Sequence, residues 1–80
     1  MSRSLRSPRH RALTDFLIQK RLAAGLTQAE VAKRLGRYQS FVARVENGQK
    51  VLDVVELLEF AEALRFDPRE ALREMLPAKG

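Results

Sequence analysis

The stretch Leu26-Thr27-Gln28-Ala29-Glu30-Val31-Ala32-Lys33-Arg34-Leu35-Gly36-Arg37-Tyr38-Gln39-Ser40-Phe41-Val42-Ala43-Arg44-Val45-Glu46-Asn47-Gly48 decides how this 80-residue chain is read. Thr27 followed three places on by Glu30 is a capping box: the cap side chain accepts one orphan backbone N–H, and the glutamate accepts the cap's own N–H. That start predicts a helix over 28–35. Gly36 stops it, because glycine takes the positive φ of a tight turn without steric cost. A second helix is predicted over 39–46, with Gly48 beyond its end. Val31 and Leu35 on the first, and Val42 and Val45 on the second, fall at helical spacing, so each helix turns one side to a core. Ala32 stands where the two helices must come closest, which suits a small side chain.

The same punctuation extends outward in both directions. Asp53-Val54-Val55-Glu56 and Asp67-Pro68-Arg69-Glu70 repeat the capping box, the second with proline at the first helical position, where no N–H is needed. Ser7-Pro8 is a fourth start of this kind, Gly25 a further stop, and Pro77 ends the last helix. Five helices are therefore expected, over about 8–24, 28–35, 39–46, 54–64 and 68–76. Leu13, Phe16 and Leu17, then Leu57, Leu58, Ala61 and Leu64, then Leu72, Met75 and Leu76 continue the apolar faces. No run alternates as a strand would, and Asn47-Gly48 follows a helical pattern rather than joining two apolar runs. The expected class is all-α, a five-helix bundle.

Composition narrows the function. The chain has no cysteine, so it has neither a disulfide nor a thiolate zinc site, and its single histidine, His10, excludes a histidine-cluster metal site. Hydrophobic residues at 45% and charged residues at 31% fit a globular domain. No apolar run approaches a membrane span, and the arginines at the N-terminus precede no apolar segment of a signal peptide, so the expected compartment is the cytoplasm. The net charge of +5 is unevenly placed. Residues 1–50 hold 11 Lys/Arg against three acids, a balance of +8; residues 51–80 hold four against seven, a balance of −3. One half suits a polyanion and the other suits something else.

Two short helices joined by a glycine turn have the spacing of a helix-turn-helix, whose second helix enters the DNA major groove. The chain resembles the Cro/phage-repressor (XRE-type) family. The resemblance rests on Gly25-Leu26-Thr27-Gln28-x-Glu30-x-Ala32-x-x-Leu35-Gly36, and Val42-x-x-Val45-Glu46-x-Gly48 and Leu57-x-x-Phe60-Ala61-x-Ala63-Leu64 continue it in register, over about residues 8–76. It implies a lambda-repressor-like fold and a sequence-specific, double-stranded-DNA-binding transcriptional regulator, a repressor, with 39–46 as recognition helix. Tyr38 departs from the family, which often has serine as cap there. The resemblance implies that Gln28 binds a phosphate and braces the recognition helix, and that Gln39 and Ser40 read base edges. Glutamine pairs bidentately with adenine N6 and N7. Arg44, four and five residues on, shares their general face and suits guanine or a phosphate. Phe41 either touches thymine methyls or covers the core edge. Arg37, Tyr38, Asn47, Gln49 and Lys50 flank the helix and suit phosphates, which position without reading sequence. The resemblance also pairs Arg21 with Glu46 as a structural ion pair locking the third helix onto the first.

Residues 1–6 are expected to form a flexible basic arm, 7–76 the DNA-binding domain and 77–80 a short tail. Arg3, Arg6, Arg9 and Arg11 are candidates for an arm along the DNA. No catalytic set is found: His10 and Ser40 lack partners, and Glu56 and Glu59 read as solvated charges, so neither an enzyme, a cofactor nor a small-molecule substrate is expected. Two alternatives stand beside the repressor. One is the antitoxin of a toxin–antitoxin pair, with a toxin partner; the other is the same fold used only for protein interaction. A homodimer on DNA is expected, paired through the acidic half, whose Leu52, Val54, Leu58, Phe60, Phe66, Leu72, Met75 and Leu76 exceed what one helix pair can hide.

Overall fold

The computed structural model describes residues 7–79, so the proposed arm at 1–6 lies outside the described residues. The elements are α1 (Pro8–Ala23), α2 (Gln28–Leu35), α3 (Gln39–Glu46), α4 (Val54–Leu64) and α5 (Pro68–Met75), with no strand among the described residues. Every expected helix is present. Two end one residue early, at Ala23 and Met75, where Ala24 and Leu76 serve as C-caps in the right-handed region. The caps explain the starts. Ser7 accepts from the His10 N–H with Pro8 at the first position, and Thr27, Asp53 and Asp67 each form a complete capping box. Gly36 closes α2 at φ 69°, and nothing crowds the space where a Cβ would sit, so backbone conformation and not packing calls for glycine. α4 ends differently: Arg65 takes the left-handed conformation at φ 59° without being glycine.

All five helices feed one core of Leu13, Leu17, Val31, Ala32, Val42, Val45, Leu57, Phe60, Ala61, Leu64, Phe66 and Ala71. Val31 and Val42 are fully buried, and Ala32 lies buried as α2 packs on α3. α2 also packs on α4, and α1 on both α3 and α5. Phe66, in the α4–α5 turn, meets Phe16 edge-on at 5.0 Å between ring centroids.

Arg9 does not belong to an arm. Its Nε donates to Met75 O at 3.0 Å and Ala78 O at 2.9 Å, and its Nη2 to Leu76 O at 3.3 Å. A guanidinium placed there satisfies orphan carbonyls at the end of α5 and ties the start of α1 to it. Glu56 is likewise not a solvated charge. It completes the α4 capping box, pairs with Lys50 at 3.3 Å, and its side chain keeps only 13% exposure. Of the acidic half's apolar residues, Phe60 and Phe66 are buried and Leu52 and Met75 are half-buried against the core. Val54, Leu58, Leu72 and Leu76 are exposed, as are Val51 and Val55. Among the described residues no helix is long and apolar enough to cross a membrane, and no group of three histidine or acidic side chains is placed to hold a metal ion.

Candidate nucleic-acid interface

The α2–turn–α3 unit is held by burial of one side and leaves the other to solvent. In α3, Val42 and Val45 are buried, while Gln39, Ser40 and Arg44 are exposed. Their spacing follows from the helical period: 42 and 45 share one side, and 40 and 44 share another. Phe41 lies between the two sides. Its ring is half-buried, tilted against Phe60 at 6.2 Å, and carries the Arg37 guanidinium 3.8 Å from its centroid. Its core contact is therefore direct, and it doubles as a platform that holds a cation beside the start of α3.

Tyr38 occupies the N-cap of α3 with extended backbone and no side-chain cap, and is 85% exposed. The first turn of α3 forms without a hydroxyl cap. Its entry angle is set instead by the turn itself, where Arg37 N–H donates to Ala32 O at 2.9 Å and Phe41 N–H to Tyr38 O at 3.0 Å. At the other end Asn47 Oδ1 accepts from the Gln49 N–H at 3.2 Å, and the N–H groups of Gln49 and Lys50 both bond Arg44 O. Asn47 and Gln49 thus shape the loop after α3, and the Lys50 ammonium beside it is shared with Glu56.

The expected ion pair is present. Arg21 Nε donates to Glu46 Oε2 at 2.6 Å and Nη2 to Oε1 at 3.0 Å, a bidentate fork, while Nη1 donates to Leu26 O at 2.9 Å. The two side chains are only 14% and 8% exposed. The pair ties the end of α1 and the α1–α2 turn to the end of α3. The network then continues. Gln28 Nε2 donates to Glu46 Oε1 at 2.9 Å, and Gln39 Nε2 donates to Gln28 Oε1 at 2.7 Å. Gln28 braces α3, and it does so through two contacts that sequence reading did not find. No periodicity brings 28, 39 and 46 together; the signal was only that three long polar side chains sit at the ends of two facing helices. At the start of α2, the Glu30 carboxylate is held below its ordinary range, first by the Thr27 backbone N–H at 2.8 Å and then by the Thr27 hydroxyl.

Two packed helices, a glycine turn and an outer side of amide, hydroxyl and guanidinium groups define a helix-turn-helix domain. The chain matches the helix-turn-helix domain family over residues 2–75. It is similar to an XRE-family-like protein from Pseudomonas syringae pv. tomato, at 46% identity over 84% of this chain and 82% of that one, with a TM-score of 0.78. It is also similar to the restriction-modification controller protein C.AhdI from Aeromonas hydrophila, at 37% identity over 74% of this chain and 86% of that one, with a TM-score of 0.70. The clp gene regulator ClgR from C. glutamicum shares the fold, at 23% identity over 86% of this chain and 90% of that one, with a TM-score of 0.78. No curated protein matches the chain. The chain belongs to the XRE-type helix-turn-helix family and is a DNA-binding transcription regulator.

Proposed function

We propose that this regulator is a repressor that lays α3 in the major groove of an operator, with Gln39, Ser40 and Arg44 toward the bases. Gln28, Arg37, Tyr38, Asn47, Gln49 and Lys50 contact flanking phosphates. The carrying observation is the two-sidedness of α3: Val42 and Val45 are locked in the core while Gln39, Ser40 and Arg44 stand exposed on the outside. Arg37, held over Phe41, flanks the start of that outer side with positive charge, and Lys50, paired with Glu56, stands beyond its end. Glu46, the only acid of α3, is already neutralised by Arg21 and does not oppose a phosphate. The protein acts in the cytoplasm and breaks no bonds; its work is occupancy.

One recognition helix reads only a few base pairs, so two protomers occupy half-sites about one helical turn apart. The acidic half supplies the protein–protein contact, supported by the exposed Val54, Leu58, Leu72 and Leu76. The test is binding to duplexes selected from a random pool. With roughly four to six phosphates neutralised per protomer, the log–log salt slope should be about −0.9 per contact. Sedimentation should give two protomers per minimal site. Affinity that stays flat from low to physiological salt, or saturation at one protomer, refutes the corresponding part. Faithful co-purification of a second small protein would point to the antitoxin reading instead.

A further inference from the structure

The chain of bonds from Arg21 to Gln39 has a direction, and chemistry alone fixes it. A carboxylate has no N–H, so the Gln28 amide must turn its NH2 to Glu46. Its oxygen is then the end that faces α3, and the Gln39 amide must turn its own NH2 to that oxygen. Glu46 cannot rotate away, because both of its oxygens are gripped by Arg21 and it is almost fully buried. Two amides in series therefore take one orientation, dictated from within. At the exposed end Gln39 keeps its Oε1 as acceptor and one N–H as donor.

We infer that Glu46, which lies two hydrogen bonds behind the outer surface, selects the base that Gln39 accepts: adenine and not guanine. The inference rests on the reading of Gln39 as a base reader given above. In the major groove adenine offers an acceptor at N7 and a donor at N6, which the remaining N–H and Oε1 of Gln39 match. Guanine offers two acceptors, N7 and O6, and asks for two donors. A freely turning Gln39 would present both N–H groups to guanine. The fixed one has a single N–H left and sets its oxygen against O6. Glu46 and Gln28 are thus positioning residues for specificity, though only Gln28 is placed to touch the nucleic acid.

The double variant Arg21→Met/Glu46→Leu replaces the buried pair by apolar side chains. The acceptor that holds the Gln28 NH2 is then gone, and the Gln28 amide is free to take either orientation. Gln39 is released with it and can set two donors outward. Selection of sites from a randomised duplex pool by the full-length parent should show adenine at the position that Gln39→Ala relaxes. For Arg21→Met/Glu46→Leu the adenine-to-guanine ratio there should fall about tenfold or more, since one well-made bidentate contact discriminates by roughly that factor, with other positions unchanged. Gln28→Leu keeps the Arg21–Glu46 pair but cuts the relay; it should bring the ratio toward parity whatever its effect on total affinity. It also carries the test if Arg21→Met/Glu46→Leu does not fold. If Gln39→Ala leaves the selected sites unchanged, Gln39 reads no base and the inference falls with that reading. If Gln39→Ala relaxes one position but the parent prefers guanine there, or neither Arg21→Met/Glu46→Leu nor Gln28→Leu moves the ratio, the relay is wrong while the base reading stands.

Discussion

Replacing Arg21 by methionine removes the guanidinium and leaves most of the stem's volume. Three N–H donors are lost, two to Glu46 and one to Leu26 O. What remains is a carboxylate with 8% side-chain exposure whose one other side-chain partner is Gln28. Breaking a buried pair by removing one member costs about 3–5 kcal/mol, because the orphaned charge cannot return to water. A chain of this length has about 4–12 kcal/mol of total stability, so the loss is a large share of it. At about 4–8 °C per kcal/mol for a domain of this size, Arg21→Met should lower the melting temperature by about 15 °C or more. Thermal unfolding followed by circular dichroism measures it. The double variant Arg21→Met/Glu46→Leu should recover more than half of the loss, since an apolar pair in place of a buried ion pair is often near neutral. A shift under 5 °C for Arg21→Met, or a double variant worse than the single, would show that the orphaned charge is not the cause.

Two further expectations concern the frame. The carboxylates of Glu30 and Asp67 are held below their ordinary pKa, the first by the Thr27 N–H and hydroxyl and the second by Arg69. A depressed carboxylate contributes stability that is present above its unfolded pKa, near 4, and is lost as pH falls through the lower folded value. The melting temperature should therefore drop below about pH 4, and Glu30→Gln and Asp67→Asn should each blunt that drop; an acid limb identical in both variants would refute the assignment. Arg9→Ala should lower stability by about 1 kcal/mol through loss of the carbonyl clamp on α5 while leaving duplex affinity within twofold; a tenfold loss of affinity with no change in melting would return Arg9 to the DNA.

What was legible in the sequence was local. Capping boxes and glycine stops are relations of three or four residues, so all five helices could be placed from spacing, and so could the buried sides of α2 and α3. The Arg21–Glu46 pair was reached only through family resemblance, because nothing in the spacing of residues 21 and 46 says that they meet. Three features were not legible for the same reason. Arg9 reaches α5 across 66 residues of chain, and a basic residue near a terminus reads as a tail. Glu56 was legible as the end of a capping box, but its pairing with Lys50, brought to it by the loop after α3, was not. Arg65 ends α4 in a left-handed conformation that glycine would signal and arginine conceals.

α2 and α3 have eight residues each, too few to hold a helix in water without tertiary support. α3 buries Val42 and Val45 and part of Phe41, and the rest of its attachment is polar: the α2–α3 turn, and Glu46 held by Arg21 and Gln28. The same carboxylate that fastens the recognition helix therefore also orders the amides on its outer side. Stability and base choice are coupled through one residue, so affinity measurements alone would score any change at Glu46 as damage. The two roles separate by charge. Arg21→Met keeps the carboxylate that orients Gln28, and should cost stability with base preference kept in the folded fraction. Arg21→Met/Glu46→Leu removes both charges and with them the acceptor that orients Gln28, and should change the preference itself. Opposite outcomes in this pair of variants would mean that the network carries load without carrying orientation.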